Sequence, residues 1–441
     1  NKDNATKQPY VDLFKNIFKG DKVIWIIFLM LCLISIVEVF SASSTLVYSS
    51  GDHWGPISRH LVFLAVGTLC VCLIHNLPYQ WFTLIGMILL PTSVILLIWV
   101  MFMGRINNAA RWIDLGFVQF QPSEFAKMAV VIITAFILSK GRTEDGANPK
   151  AFKYILIIAG TICAIILPEN FSTAFLLFGV VVLMMFIGHV PLIQLGKLIG
   201  TLVGLGIVAL TFIIATKDVD ISFLHRFDTW RARIEKFVSN EEIAASEFDT
   251  DKDGQVAHAR IAVATSHIIG KGPGNSVQRD FLSQAFSDFI FAIVIEELGL
   301  LGGAFVVFLY ICLLIRVGRI AKRCNRSFPA FLVIGIGLLL VTQAVFNMMV
   351  AVGLAPVTGQ PLPLISRGGT STIINCVYIG MLLSVSRYTA SIEQEELLRQ
   401  AEVAPEKSAA VLLAEAVLAE NQAQSAEEPT SEVLNSDSEF E

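Results

Sequence analysis

Apolar residues fall in long runs along this chain, not in strict alternation or one-sided stripes. Ten such runs cover roughly residues 23–41, 60–75, 82–103, 125–139, 154–167, 171–188, 198–215, 289–315, 330–350 and 372–386. A helical span needs about 20 apolar residues, so the shorter runs must borrow flanking positions. Lipid offers the backbone no hydrogen-bond partner, which makes each run a helix. The expectation is an all-α polytopic membrane protein with about ten transmembrane helices. A large extracytoplasmic loop, residues 216–288, separates the seventh and eighth spans. The first run is too long for a secretory signal and lacks its cleavage site. No internal repeat stands out, so the inverted-repeat signature of many transporters is missing.

Composition supports this reading. Of 441 residues, 54% are hydrophobic and 16% charged, against about 25% charged in an ordinary soluble domain. Charge is unevenly placed. Residues 388–441 hold 13 acidic and 2 basic residues, leaving +6 on the other 387 from a total of −5. The chain thus divides into an N-terminal extension (1–22), a ten-helix membrane domain (23–387) and an acidic tail (388–441), disordered or weakly helical. No basic block suggests nucleic acid binding. The seven cysteines lack metal-ligand spacing and read as small buried hydrophobes.

Short loops set the orientation. The N-terminal segment carries Lys2, Lys7, Lys15, Lys19 and Lys22. The 140–153 connection carries Lys140, Arg142, Lys150 and Lys153, and the 316–326 connection carries Arg316, Arg319, Lys322, Arg323 and Arg326. The short loops of opposite parity hold only Arg59, Arg105, Arg111 and Arg367. The positive-inside rule puts both termini in the cytoplasm.

Polar residues are sparse in such a chain, and here they gather on the outer side in four places. The first joins Asn107, Asn108, Arg111, Trp112 and Asp114 to Gln121-Pro122-Ser123-Glu124 and Lys127. Pro122 suits a first helical turn and Glu124 its positive end. Glu124 and Lys127, three apart, can pair. The second is the 216–288 loop, where Phe223, Phe227, Trp230, Ile234 and Phe237 make one apolar face among Arg226, Arg231, Arg233 and Lys236. That pattern predicts a basic amphipathic helix on the membrane surface. Asp249, Asp251 and Asp253 begin like a calcium loop, but Arg260 stands where its closing Glu belongs.

The third place runs from Gly270, Gly272, Gly274 and Ser276 to Ser287-Asp288-Phe289, with Glu296 and Glu297 deeper in the eighth span. Ser287 or Asp288 would cap that helix. Two adjacent acids inside a span require a cavity or a partner. The fourth is Asn347 with the Pro356–Ser371 stretch, rich in proline and glycine: a rigid non-helical loop that must be buried in protein or line a cavity. No Walker A, zinc-ligand helix or nucleophile elbow occurs.

At these residues the sequence resembles the SEDS (FtsW/RodA-like) family. One signature is Arg111-Trp112-Ile113 with Gln121-Pro122-Ser123-Glu124 and Lys127. A second is Ser287-Asp288-Phe289-Ile290-Phe291 with Glu296-Glu297-x-Gly299. The third, and most specific, is Pro356-x-Thr358-Gly359-x-Pro361-Leu362-Pro363-x-x-Ser366-x-Gly368-Gly369. The resemblance covers roughly 20–387. It implies a peptidoglycan glycosyltransferase that polymerises lipid II outside the bacterial cytoplasmic membrane. A class B penicillin-binding protein is the implied partner, with other divisome membrane proteins. The acidic tail and N-terminal extension lean toward the FtsW-like branch and septal synthesis.

Carried over by position, Asp288 matches the family's essential aspartate and is the candidate general base. Arg111, Glu124 and Lys127 match polar positions the family needs. Arg111 and Lys127 are candidates for the leaving diphosphate or for orienting the site. Glu296, Glu297 and Ser366 complete the candidate set, as substrate-binding or site-organising groups. A divalent cation, Mg²⁺ or Mn²⁺, is a candidate cofactor; no nucleotide is needed. The sequence departs from the family at Leu282-Ser283-Gln284-Ala285-Phe286-Ser287 (usually Leu-Pro-Glu-Ala-His-Thr), at Arg367 (usually Tyr) and at Pro168-Glu169-Asn170-Phe171-Ser172-Thr173. Two other readings compete: a lipid II flippase or other transporter, and a division scaffold.

Overall fold

The structure, a computed structural model, describes residues 19–42, 55–102, 111–114, 119–142, 147–215, 254–282 and 286–427. Asn107, Asn108, the 223–237 stretch and the Asp249–Asp253 run lie outside the described residues. Eleven helices are described: α1 (Lys22–Ala42), α2 (Gly55–Ile74), α3 (Gln80–Phe102), α4 (Pro122–Ser139), α5 (Pro149–Ile166), α6 (Phe171–Ile187), α7 (Leu192–Ala215), α8 (Gly254–Thr265), α9 (Ile290–Arg323), α10 (Ser327–Ala351) and α11 (Thr370–Glu427). A two-residue antiparallel ladder pairs β1 (Ile113–Asp114) with β2 (Gln119–Phe120) just before α4.

Each of the ten apolar runs holds a helix. Seven of those helices are long and apolar enough on their own to cross a bilayer, and Phe171–Ile187 and Leu192–Val208 are shorter apolar helices. The eleventh helix, α8, falls within the predicted outer loop and buries Ala259 and Ala262.

Helix α4 forms the centre. Every residue from Ala126 to Ala135 is buried, so protein surrounds the helix on all sides. Close approach needs small residues: a Cβ on Gly335 of α10 would stand 2.6 Å from Met184 Cε and 2.8 Å from Val131 Cγ1. Helix α3, by contrast, presents Ile88, Ile95 and Trp99 outward, the apolar surface expected against lipid.

Asp21 starts the first span. Its Oδ1 accepts from the amides of Val23 (2.8 Å) and Ile24 (3.2 Å), capping α1. Its Oδ2 accepts from Arg316 of α9 at 2.5 and 3.0 Å, and its own amide donates to Ser386 Oγ of α11 at 2.9 Å. One side chain thus ties the entry of α1 to two other spans.

The chain divides into two compact units, Asn1–Thr389 and Ala390–Glu441. The second unit is helical over residues 390–427, with Leu397 and Leu398 exposed.

The double use of Asp21 gives a graded prediction. Asp21→Asn, which retains a capping oxygen, is expected to lower the unfolding temperature in detergent less than Asp21→Ala. The alanine variant loses about 1 kcal/mol of cap in addition to the ion pair. Equal shifts would mean that the cap contributes nothing.

Candidate active site

Helix α4 begins where sequence logic puts it. Gln121 is the N-cap residue, Pro122 occupies the first turn, and Glu124 lies at the positive end. Lys127 has no exposed surface and Glu124 has 2%. Their ion pair measures 2.8 Å from Lys127 Nζ to Glu124 Oε1. Lys127 Nζ also donates to Gln343 Oε1 of α10 at 2.9 Å, and Gln343 Nε2 donates to the Pro361 carbonyl at 3.0 Å. A relay of polar contacts therefore runs from α4 through α10 into the 352–369 loop.

That loop is the proline- and glycine-rich stretch between α10 and α11. Leu364 adopts φ +67°, a left-handed conformation held by burial on both sides. Several neighbouring elements contribute tethers. Ser35 Oγ of α1 donates to the Ile365 carbonyl at 2.7 Å. Gln360 Nε2 donates to Thr173 Oγ1 of α6 at 2.8 Å. Thr370 Oγ1 donates to the Gln119 carbonyl of β2 at 3.1 Å. Tyr310 of α9 donates to the Pro363 carbonyl.

Asp288 is stitched to the same loop through its main chain. Asn347 Nδ2 donates to the Asp288 carbonyl at 2.9 Å and to the Gln360 carbonyl at 2.8 Å. Ser366 Oγ donates to the Ser287 carbonyl at 2.6 Å and accepts from the Leu362 amide at 2.7 Å. The Arg367 amide donates to the Phe286 carbonyl at 2.9 Å, and its guanidinium lies 5.3 Å from the Phe286 ring centroid. The Asp288 carboxylate remains partly exposed, with Ser287 Oγ donating to Oδ1 at 3.0 Å. Gly359 faces it: a Cβ there would stand 3.6 Å from Oδ2. The expected capping role is not what the structure shows. Phe289 is the N-cap residue of α9, without a side-chain cap.

Arg111 is partly exposed just before β1, and its Nε donates to the Glu169 carbonyl at 2.5 Å. Arg111, Ser123, Glu169 and Asn170 line one small cavity of about 20 Å³. Asn170 caps α6 by accepting from the Thr173 amide at 3.3 Å, and Thr173 receives Gln360. The segment that departs from the family at Pro168–Thr173 thus links Arg111 to the loop facing Asp288.

Glu296 and Glu297 do different work. Both are fully buried. Glu296 binds Lys271 Nζ at 2.6 Å, the amides of Val277 (3.1 Å) and Gln278 (3.3 Å), and Ser276 Oγ. Glu297 accepts from the amides of Gly274 (2.9 Å) and Ser276 (3.2 Å) and from Ser41 Oγ, with Arg279 at 3.8 Å. Of the two roles sequence reasoning left open, these contacts fit organising the outer loop. The 271–279 segment folds around the two carboxylates. Gly299 breaks α9 one turn later, at φ +78°. There the chain exchanges main-chain bonds with 267–272, and a Cβ on Gly270 would stand 2.3 Å from Gly299 N. Only glycine fits either position.

Lys127, with no surface and its ammonium on Glu124 and Gln343, fits the orienting role and not the diphosphate. Gln343 was missed as a site residue, although a glutamine in mid-span is itself a signal. Among the described residues no three of His, Cys, Asp and Glu converge as a metal cage.

These features define a multi-pass helical membrane protein with a rigid polar site at one end of its bundle. The profile of the FtsW/RodA/SpoVE family, described as cell cycle proteins, matches residues 21–391, and the chain belongs to that family. It is 33% identical over 378 residues to the "probable peptidoglycan glycosyltransferase FtsW" of Hahella chejuensis, covering 83% of this chain and 90% of the relative. It is 30% identical to the stage V sporulation protein E of Bacillus subtilis, covering 84% and 97%. Two solved structures share the fold at 24% identity, each covering 84% of this chain. One, from a peptidoglycan synthase complex that coordinates polymerisation and crosslinking, has a TM-score of 0.66 over 99% of its chain. The other, RodA of Thermus thermophilus, has 0.58 over 98%.

Removing one member of a buried ion pair typically costs about 3–5 kcal/mol, because the other charge stays behind. Glu124→Ala is expected to destabilise the protein on that scale in mixed-micelle unfolding. Adding Lys127→Met should recover most of the loss. A double variant no more stable than Glu124→Ala would contradict this account of the pair.

Proposed function

We propose that this chain polymerises lipid II into glycan strands on the outer face of the bacterial cytoplasmic membrane, during septal wall synthesis. The curated relatives support the reaction class, since they are named peptidoglycan glycosyltransferases. The basic connections at 140–153 and 316–326 support both termini being cytoplasmic, which turns the 352–369 loop and Asp288 outward.

The observation that carries the mechanism is the state of Asp288. Its main chain is clamped by the buried Asn347, while its carboxylate is partly exposed. A general base needs that combination: a fixed position and access to the acceptor. In the reaction, Asp288 takes the proton from the acceptor sugar hydroxyl. The hydroxyl oxygen bonds to the anomeric carbon of the donor, and undecaprenyl diphosphate leaves with the bonding electron pair. Positive charge must meet that leaving group. Arg111 is placed at this end of the bundle for it, with Lys127 orienting through Gln343. A divalent cation would find Asp288 as its carboxylate and draw further oxygens from the substrate, a common mode for Mg²⁺. It would supply added positive charge to the diphosphate.

The partner this reading implies is a class B penicillin-binding protein, by analogy with the solved synthase complex. Other divisome membrane proteins would assemble around the pair.

The decisive assay is lipid II polymerisation by the purified protein with its partner, beside a partner-only control. Wild type should yield glycan strands. Asp288→Ala should yield none while still binding the partner. Strands from Asp288→Ala would remove the aspartate from the chemistry. Lipid II translocation without strands would favour a transporter.

Asn347 is the positioning residue in this scheme. Small displacements of a catalytic group cost up to about 10²-fold in rate. Asn347→Ala is therefore expected to lower kcat on that order with a much smaller change in KM. A fall confined to KM would place Asn347 in substrate binding instead.

A further inference from the structure

Helices α9 and α10 meet at the end of the bundle away from the 352–369 loop, and there they enclose a cleft of about 440 Å³. This lies within the range of about 300–1,000 Å³ usual for a single bound ligand. Leu314, Val317 and Gly318 of α9 and Phe331 and Leu338 of α10 form its floor and walls. The floor runs from Leu314 to Lys322, about 12 Å at 1.5 Å per residue. Arg142 and Lys322 stand at the mouth, and among the described residues no acidic residue lines the cleft.

Two observations make this more than a gap between helices. Neither cation forms an ion pair among the described residues; Arg142 instead rests 5.3 Å from the Phe331 ring centroid, which holds it at the opening. The second is Gly318. Glycine is the weakest ordinary helix former, and a Cβ at Gly318 would meet nothing within 4 Å. Gly337, on the facing helix, is required by contrast: its Cβ would stand 2.7 Å from Val317. The space at Gly318 is therefore part of the cleft and not a packing need.

We infer that this cleft binds one anionic phospholipid, its phosphate between Arg142 and Lys322 and an acyl chain along the floor over Gly318. A soluble anion has no use for a 12 Å apolar floor. A neutral lipid has no use for two cations that form no ion pair among the described residues. Basic pockets between transmembrane helices on the cytoplasmic side suit acidic lipid headgroups. In the orientation proposed above the mouth opens in that leaflet. The binding itself does not depend on the glycosyltransferase reading, and its test does not use enzymatic activity.

The test is native mass spectrometry of the delipidated full chain in detergent, titrated separately with cardiolipin, phosphatidylethanolamine and undecaprenyl phosphate. One cardiolipin should be retained in preference to phosphatidylethanolamine. Arg142→Ala/Lys322→Ala should weaken it on the order of tenfold. Gly318→Leu, which fills the floor without changing charge, should weaken it as well. Arg319→Ala, which removes an exposed cation of the same helix outside the cleft, should leave it unchanged. Undiminished cardiolipin retention by either cleft variant would overturn the proposal, as would stronger retention of undecaprenyl phosphate that the same variants abolish.

Discussion

An ammonium group inside a hydrocarbon-facing bundle is tolerable only where counter-charge and acceptors are built in beside it. Lys127 has both: Glu124 one turn back on its own helix, and Gln343 across on α10. The consequence spreads outward from there. Gln343 has its oxygen committed to the lysine, so its amide nitrogen is left to hold the Pro361 carbonyl. The loop that this carbonyl belongs to has few regular main-chain bonds of its own and depends on such side-chain donors for satisfaction. Asn347, one turn further along α10, repeats the device and extends it to Asp288. The buried charge on α4 and the placement of the aspartate are thus two ends of one hydrogen-bonded structure.

The break in α9 follows the same rule. A helix interrupted at Gly299 exposes main-chain groups at membrane depth, where irregular backbone survives only if protein surrounds it. The 267–272 segment supplies the main-chain partners, and Glu296 and Glu297 gather the amides of the following turn. Two adjacent carboxylates would otherwise repel each other and the low-dielectric interior. Here the amides, hydroxyls and Lys271 that converge on them supply most of their compensation.

Much of this was legible in the sequence, for definite reasons. Spans show as apolar runs because the bilayer sets both their length and their backbone form. The Glu124–Lys127 pair shows because three-residue spacing in a helix leaves few alternatives. Asp288 stood out as an acid at the mouth of a span that also matches a family signature. What the sequence hid depends on tertiary contact. Helix α8 has too weak an apolar pattern to announce itself. Nothing in the sequence marks Asp21, because its value lies in Arg316 and Ser386, distant in sequence. The roles of Glu296 and Glu297 could not be separated from that of Asp288 until their donors were visible.

That separation bears on which acid can do chemistry. Four carboxylates make up the acidic part of the candidate set: Glu124, Asp288, Glu296 and Glu297. Three are buried to 2% exposure or less, and each is engaged by a cation. A carboxylate in that condition is a poor base, because it is paired with a cation and no substrate can reach it. Asp288 differs in exposure: its side chain is partly exposed, and its main chain is held through its carbonyl and through its neighbours Ser287 and Phe286. Holding a residue by its backbone leaves its side chain within reach of a substrate. Preorganisation of that kind is what a rim site needs, where solvent and substrate arrive from outside and the protein can shape only the near side of the reaction.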